Sequence, residues 1–359
     1  MLNRSRLTAV LNSFPQRTIA LLGDLFLDRY LEIPHELHEL SIETGLEAYQ
    51  VIHVRNVPGA LGTVLNNLTA LGVGRLLPVT VIGDDGHGYD LLQSLAKLPA
   101  VDQAFVLRDP HRLTPTYTKP LRQTESGTWQ ELNRLDVRTR EPLSSEMRRN
   151  VINALRQALA QADGLIVLDQ VDQTDCGVVH QEIREVLIEL ASQSPHKPIM
   201  VDSRNHLHHF SAAMLKGNRS EIMAAAERLG WVLSTRAARH VPASSLPPQF
   251  ANEPAVQAAI FLADQTSRPV FCTVGDQGVL VAHPRGPIEH APGLAVDGPI
   301  DIVGAGDSAT SAIMASLLSG ASYREAAELA NLVASITIQQ LGTTGTATPA
   351  QIQQRYEQT

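Results

Sequence analysis

The stretch "DIVGAGDSATSA", residues 301–312, places Gly304, Ala305 and Gly306 directly before an acid, Asp307, where a helical run begins. Ile313, Met314, Leu317 and Leu318 continue that run as one apolar face, and Gly320 is suited to close it. The reading predicts a helix with Asp307 in its first turn. A helix N-terminus carries unpaired N–H groups and a partial positive charge, so it attracts anions. Bare backbone at residues 304–306 lets a phosphate approach those amides, with Asp307 beside it to receive the proton of an attacking hydroxyl. The positive helix end is also expected to keep Asp307 readily ionised, a weak base whose position matters more than its basicity. Asp is favoured at such a place as a plain cap as well, worth about 1 kcal/mol, but a cap does not call for Gly-Ala-Gly before it.

The rest of the chain bounds what that helix can serve. With 359 residues there is enough chain for a large core. Cys176 and Cys272 are the only cysteines, far apart in apolar surroundings, which suits a reducing cytoplasm. A net charge of −8 argues against broad binding to nucleic acid or an anionic membrane, while leaving room for a small charged metabolite. Leu2, Leu7, Val10, Leu11 and Phe14 fall at helical spacing in a segment too polar for a signal sequence, and no stretch is long and apolar enough to be expected to span a membrane.

Short β-rich runs at 18–22, 76–82, 165–168, 198–201, 231–234 and 270–274 alternate with helical patterns near 59–71, 86–97, 144–161, 177–192 and 254–265. This rhythm predicts one α/β domain over 1–359, a mostly parallel sheet covered by helices on both faces. Two polar, alternating insertions, about 27–57 and 113–137, interrupt it, the second with a turn signal at Ser126-Gly127. Together they are expected to form a small β lid over the strand ends, where open α/β sheets bind ligands; they also read as plain surface hairpins. The Pro-rich stretch at 240–254 reads as an irregular surface connection.

"DIVGAGDSA" resembles the DTxGAGD signature of the ribokinase-like, or PfkB, carbohydrate kinases, and the resemblance runs along nearly the whole chain. "GDLFLDRY" (23–30), "PGALGTVLNNLTALG" (58–72), "VIGDDGHG" (81–88), "NRSE" (218–221), "TVGDQG" (273–278) and "LANLVASITIQQLGT" (329–343) match in kind and order. "GDLFLDRY" and the "RLD" of 134–136 are similar to the subfamily that phosphorylates a heptose 7-phosphate. The resemblance implies a three-layer ribokinase-like sandwich and an ATP-dependent sugar kinase acting with Mg²⁺, and in the heptose enzymes often a second, nucleotidyl-transferring domain that is not expected here.

Residue by residue, the resemblance implies Asp307 as catalytic base, with the amides of Gly304, Ala305 and Gly306 as an anion hole. Asn218 and Glu221 match the NxxE motif that organises Mg²⁺ through water; they also read as a capping box. Thr273, Gly275 and Gly278 would lie against the nucleotide, or form only a turn between strands. Asn331 is carried over as a nucleotide-pocket residue, and Asp301, Val303 and Gly342 as part of a K⁺ site built largely of backbone carbonyls. On the acceptor side stand Asp24, Asp28, Gly59, Thr63 and Asn67, whose polar groups can pair with sugar hydroxyls. Lys119, Arg122, Arg134 and Arg29 are candidates to meet a phosphate already on the sugar.

The chain departs from the family pattern at Ala60, Thr63 and Val303, where Gly, Asn and Thr are usual. Those departures motivate one rival, a sugar- or nucleotide-binding homologue without turnover. A dinucleotide-dependent oxidoreductase is a second rival, but GxGxxG is missing after the first strand. His206, His208 and His209 lack the acidic or thiolate partners of a structural zinc site. A homodimer through exposed lid edges is expected.

Overall fold

The computed structural model describes residues 2–232, 246–250 and 253–359. Along the chain come α1 (Arg4–Ser13), β1 (Thr18–Gly23), β2 (Leu25–Ile33), β3 (His38–Leu40), β4 (Glu47–Tyr49), β5 (His53–Ala60), α2 (Leu61–Ala70), β6 (Arg75–Gly83) and α3 (Gly86–Leu95). The middle holds β7 (Val106–Asp109), β8 (Thr116–Gln123), β9 (Trp129–Glu131), β10 (Leu135–Val137), α4 (Ser145–Gln161), β11 (Gly164–Asp169), α5 (Gln181–Gln193), β12 (Ile199–Ser203) and β13 (Met214–Asn218). The last third adds α6 (Arg219–Arg228), α7 (Pro254–Thr266), β14 (Val270–Thr273), β15 (Gly278–Ala282), β16 (Ile288–Pro292), α8 (Ala305–Leu318), α9 (Tyr323–Thr337) and α10 (Pro349–Glu357).

Nine strands form the main sheet in the order β16-β15-β14-β13-β12-β11-β1-β6-β7. All neighbours are parallel except β14–β15 and β15–β16. The alternation of β1 shows how the sheet fills two cores: Ala20 and Leu22 face the helices α4 to α7, whereas Ile19 and Leu21 face α1, α2, α3, α8, α9 and α10. This is the three-layer α/β sandwich that the sequence rhythm predicts, with helix boundaries close to those read from periodicity. Both cysteines are free and buried, and among the described residues no helix is long and apolar enough to cross a membrane.

One expected strand is displaced. Trp231 and Val232 are not in a strand, and the rest of 231–234, like most of 240–254, lies outside the described residues. The strand that fills the sheet is β13, "MLKGN", pairing Met200↔Met214 and Asp202↔Lys216. Its lysine, glycine and asparagine break the apolar run that marks a buried strand, because it ends at polar groups on the sheet's carboxyl edge.

The two insertions do pair. β10-β8-β2-β5 make a second sheet, with β9 on β8, and β3 with β4 is a separate hairpin. β2 follows β1 after one residue, so the chain passes from the main sheet into the second at Asp24. β5 runs directly into α2 at Ala60, whose φ of 51° and ψ of −113° put an L-residue in a strained conformation that glycine tolerates. Ala60→Gly is therefore expected to raise unfolding free energy by about 1 kcal/mol; a urea midpoint below the parent's would contradict this reading of the turn.

Candidate active site

The carboxyl ends of β1, β11, β12, β13 and β14 share one edge of the main sheet, and strand order reverses at β1, the position where open α/β sheets form a crevice. The N-terminus of α8 lies at that edge. Gly304, at φ 82°, is its N-cap, which places Asp307 in the first turn. A Cβ on Gly304 would stand 3.2 Å from Thr344, so both its conformation and its surroundings favour glycine. The Ala305 N–H donates to Ile302 O at 3.1 Å, and the helix's own ladder begins with Ser308 donating to Gly304 O at 2.9 Å. Among the described residues, the Ala305 N–H is thus engaged, whereas the N–H groups of Gly304, Gly306 and Asp307 have no acceptor and are left for an anion.

Asp307 corrects a second expectation. It is partly open to the cleft but surrounded by protein, and burial pushes its carboxyl up to about 7; the neighbouring Asp202 pushes the same way, against Lys216, Arg204 and a hydrogen bond from Gln170. Desolvation and a like charge outweigh the helix dipole, whose effect is modest and confined to the first turn. Asp307 is a stronger base than its place on the helix suggests.

Asp28 on β2 pairs with Lys119 Nζ at 2.8 Å. A Cβ on Gly59 would fall 2.4 Å from Asp28 Oδ2, so the bare Gly59 and the acid define each other's place. Asp24 is different: it is buried, both oxygens accept the Val178 N–H (3.1 and 3.0 Å), and Arg112 lies 3.4 Å away. Burial, opposed by Arg112, raises its carboxyl to about 6. Its oxygens tie the junction of the two sheets to the 171–179 loop. Thr63 and Asn67 are buried in α2, where Asn67 Nδ2 donates to Thr63 O at 2.9 Å.

Asn218 and Glu221 form the capping box of α6: Asn218 Oδ1 accepts from Glu221 N at 3.0 Å and Glu221 Oε2 from Asn218 N at 2.7 Å. One Glu221 oxygen is thus engaged, and burial raises this carboxyl above its ordinary range. Gly278, at φ 97°, leaves no room for a side chain, since a Cβ would lie 2.2 Å from Ala291 O. Gly275 has open space around it and φ 67°; Thr273 ends β14 and donates to Gly217 O at 3.4 Å. Asn331 Nδ2 donates to Ala291 O and Pro292 O (2.9 and 3.0 Å), fixing β16 to α9. Asp301 accepts from Val303 N (3.0 Å) and Gly342 N (3.1 Å), bringing the three cation-loop candidates together.

Of the four cations proposed for a sugar phosphate, Arg29 pairs with Asp90 (2.6 Å), Arg122 with Glu47 (2.7 Å) and Lys119 with Asp28. Arg134 is the one of the four that lines the cleft, and it too is paired, with Asp136 at 2.6 Å, which Arg138 shares at 3.0 Å. A cavity of about 210 Å³ between the second sheet and the main sheet edge is lined by Arg134, Arg138, Arg204, Tyr117 and Gln170, among others. Gln170 and Arg204 also face Asp307, so this basic cavity adjoins that acid. A larger cavity, about 530 Å³, sits at the opposite edge where Ile199 and Met214 begin their strands, and none of the candidate residues lines it. Sequence reading did not single out Arg138, Arg204, Gln170, Asp202 or Lys216; the signal available for the last two was a charged residue near the end of a strand, in "IMVDS" and "MLKGN".

No group of three or more His, Cys, Asp or Glu among the described residues is placed to hold a metal ion. His206 Nδ1 lies 3.2 Å from Asp169, and the His208 and His209 rings pack on each other. What the edge offers is the Glu221 carboxylate, with one oxygen outside the capping box, since the nearby Asp202 is taken up by Lys216 and Thr310. That donor set fits Mg²⁺, which keeps its waters and leans on substrate phosphates, and does not fit a caged ion.

A three-layer sandwich with a bare helix entrance and an acid at the sheet's carboxyl edge, facing a second β-sheet, defines a carbohydrate kinase. The chain belongs to the pfkB family of carbohydrate kinases, whose family model matches residues 42–351. It is similar to the bifunctional protein HldE of Trichlorobacter lovleyi, 28% identical over 332 residues that cover 92% of this chain and 61% of the relative. HldE of Caulobacter vibrioides is 29% identical over 333 residues, 92% of this chain and 62% of its own. The chain therefore spans little more than three-fifths of the length of these curated relatives. Among solved structures, phosphofructokinase-2 from Escherichia coli in complex with potassium superposes with a TM-score of 0.66 at 18% identity, covering 95% of this chain and 99% of that one. Arabidopsis thaliana ribokinase, complexed with ribose and ATP, gives 0.63 at 14% identity, covering 94% and 98%.

The raised carboxyl of Asp307 has a consequence for stability. The folded protein holds its proton up to about pH 7, whereas the unfolded chain releases it near 3.8. Its contribution to stability is thus fully present below that lower value and is lost as pH rises through 7. Asp307→Asn should flatten this part of the profile and be more stable than the parent at pH 8 by on the order of 1 kcal/mol. Thermal unfolding at pH 5 and pH 8 reads it; a parent-like pH slope in the variant would contradict the buried-carboxylate description.

Proposed function

We propose that the protein transfers the γ-phosphoryl group of ATP to a hydroxyl of a sugar or sugar phosphate, with a heptose 7-phosphate as the leading acceptor. The observation that carries this reading is the meeting of Asp307, on the bare first turn of α8, with the cavity of Arg134, Arg138 and Arg204. The likeness to HldE proteins supports the heptose acceptor, and the ATP-complexed ribokinase supports the donor.

In this reading the γ-phosphoryl group rests on the N–H groups of Gly306 and Asp307, while the acceptor lies under the second sheet, against Asp28 and Gly59. The acceptor oxygen bonds to the γ-phosphorus, the bond to the bridging oxygen of ADP breaks, and the hydroxyl proton passes to Asp307 Oδ. A carboxyl that titrates near 7 is suited to that task at neutral pH. The protein's remaining work is alignment and charge balance. Arg138 and Arg204, with Arg134, would hold the phosphate already on the sugar by charge-assisted hydrogen bonds.

Glu221 would hold Mg²⁺ through water; the ion supplies charge neutralisation on the nucleotide phosphates. Thr273, Gly275, Gly278 and Asn331 would flank the nucleotide. The loops joined by Asp301, with Val303 and Gly342, would accept K⁺ on backbone carbonyls, a reading supported by the potassium complex of phosphofructokinase-2. The second sheet would act as the lid, and Leu40, Ile42 and Leu46 of the β3–β4 hairpin, which lies between β2 and β5 in the chain, are exposed in the way a dimer contact requires. ATP and sugar phosphates are cytoplasmic metabolites, and the proposal places the enzyme with them.

ADP release measured across a panel of sugars and sugar phosphates with Mg²⁺ tests the proposal. Turnover is expected with a phosphorylated acceptor, and Asp307→Asn should lower it by roughly 10²–10⁴-fold; unchanged turnover in that variant would overturn the base assignment. Arg138→Ala should lower kcat/KM for the phosphorylated acceptor by about tenfold or more and leave the unphosphorylated sugar unaffected. An equal loss on both would remove the phosphate subsite.

A further inference from the structure

Asp202 and Lys216 stand opposite each other on neighbouring parallel strands at the sheet's carboxyl edge. Both are almost fully withdrawn from solvent, with 7% and 3% of their surface exposed, and Lys216 Nζ lies 2.8 Å from Asp202 Oδ2. The same oxygen accepts the Thr310 hydroxyl at 2.7 Å. Thr310 follows Gly306 by four residues on α8, so it lies on the same helical face. A Cβ built on Gly306 would have one neighbour within 4 Å, the Lys216 ammonium at 3.2 Å. The ammonium therefore lies directly against the bare turn of the helix.

Stability does not account for such a group. A buried ion pair is on balance no better than apolar packing of the same volume, because both charges lose their water. An ammonium has three N–H donors; among the described residues Lys216 donates to Asp202 alone. The rest of its hydrogen-bonding capacity is held beside the N–H groups of Gly306 and Asp307, which have no acceptor among the described residues. Asp202 orients the cation, and Thr310 binds that orientation to the helix.

We propose that Lys216 is a further catalytic residue of this site, its ammonium held by Asp202 and Thr310 beneath Gly306 to bind oxygens of the transferring phosphoryl group and to balance the Asp307 carboxylate. The proposal rests on the kinase reading above. The groups facing Asp307 are Asp202 from β12, Lys216 from β13, Arg204 after β12 and Gln170 after β11; burial and Asp202 favour its protonated form, and the other three favour the ionised one. Removing the cation alone thus takes charge from the phosphoryl site and makes Asp307 harder to ionise.

The test compares the parent with Lys216→Met, Lys216→Arg and the double variant Lys216→Met/Asp202→Asn, which leaves no unpaired buried carboxylate. Lys216→Met is expected to lower kcat by about 10²-fold or more, with KM for ATP and acceptor within about threefold, since the charge acts on the developing transition state. The acid limb of its pH profile should move to higher pH, and Lys216→Arg should recover part of kcat. The double variant should fold and remain slow. A folded Lys216→Met or double variant with kcat within about threefold of the parent would overturn the proposal. Carboxyl ¹³C titration of Asp307, without any substrate, gives a readout independent of acceptor identity: its midpoint should rise in Lys216→Met, and an unmoved midpoint overturns the charge-balancing role. Failure of the parent to release ADP with any acceptor would count against the kinase reading instead, while the titration still judges Lys216.

Discussion

The structure depends on the docking of one helix turn onto one sheet edge. Asp202 Oδ2 takes both the Lys216 ammonium and the Thr310 hydroxyl, joining β12, β13 and α8 at a single oxygen. Because that oxygen is buried, a shift of the helix would leave charged and polar groups unpaired in a low-dielectric interior, at a cost of several kcal/mol. The turn carrying Gly304, Gly306 and Asp307 is thereby fixed at the point where the parallel strands end. Backbone N–H groups so fixed are worth more to an anion than mobile ones, since they need no reorganisation.

A second constraint sets where an acceptor can enter. The chain leaves β1 and begins β2 across Asp24, whose buried carboxylate is held by Val178 and Arg112. Arg112 also reaches Thr139 and the Cys176 carbonyl, so the exit from the main sheet, the end of the second sheet and the loop after β11 share one set of contacts. Asp24 thus shapes the cleft from behind, and Asp28 four residues on is the carboxylate that lies in the second sheet. Two acids in one motif stand in different surroundings, decided by which side of the junction each occupies.

Much of this was legible in the sequence. Apolar periodicity located most of the strands and helices, the polar alternating insertions located the second sheet, and the small residues before Asp307 located the bare turn. What was not legible came from neighbours distant in the chain. β13 was missed because Lys216, Gly217 and Asn218 interrupt its apolar run, and with it went the ion pair that fixes α8. The ionisation of Asp307 was read with the wrong sign, since a helix dipole is visible in a sequence and burial beside Asp202 is not. Asn218 with Glu221 satisfied the capping pattern in full, and the Asn331 amide proved to be a tie to β16, so a motif match alone did not separate cap from ligand. Arg138 and Arg204 join Arg134 only because the second sheet folds back over the edge of the first.

The central claim is that the donor phosphate sits on the first turn of α8 with Asp307 turned toward the acceptor cavity. The most direct measurement is a crystal structure with a non-hydrolysable ATP analogue. The account predicts a terminal phosphate oxygen about 3 Å from the Gly306 and Asp307 nitrogens, with the Asp307 carboxylate open toward Arg138 and Arg204. A terminal phosphate bound elsewhere, or an Asp307 carboxylate turned away from it with the turn closed by protein, would contradict the account.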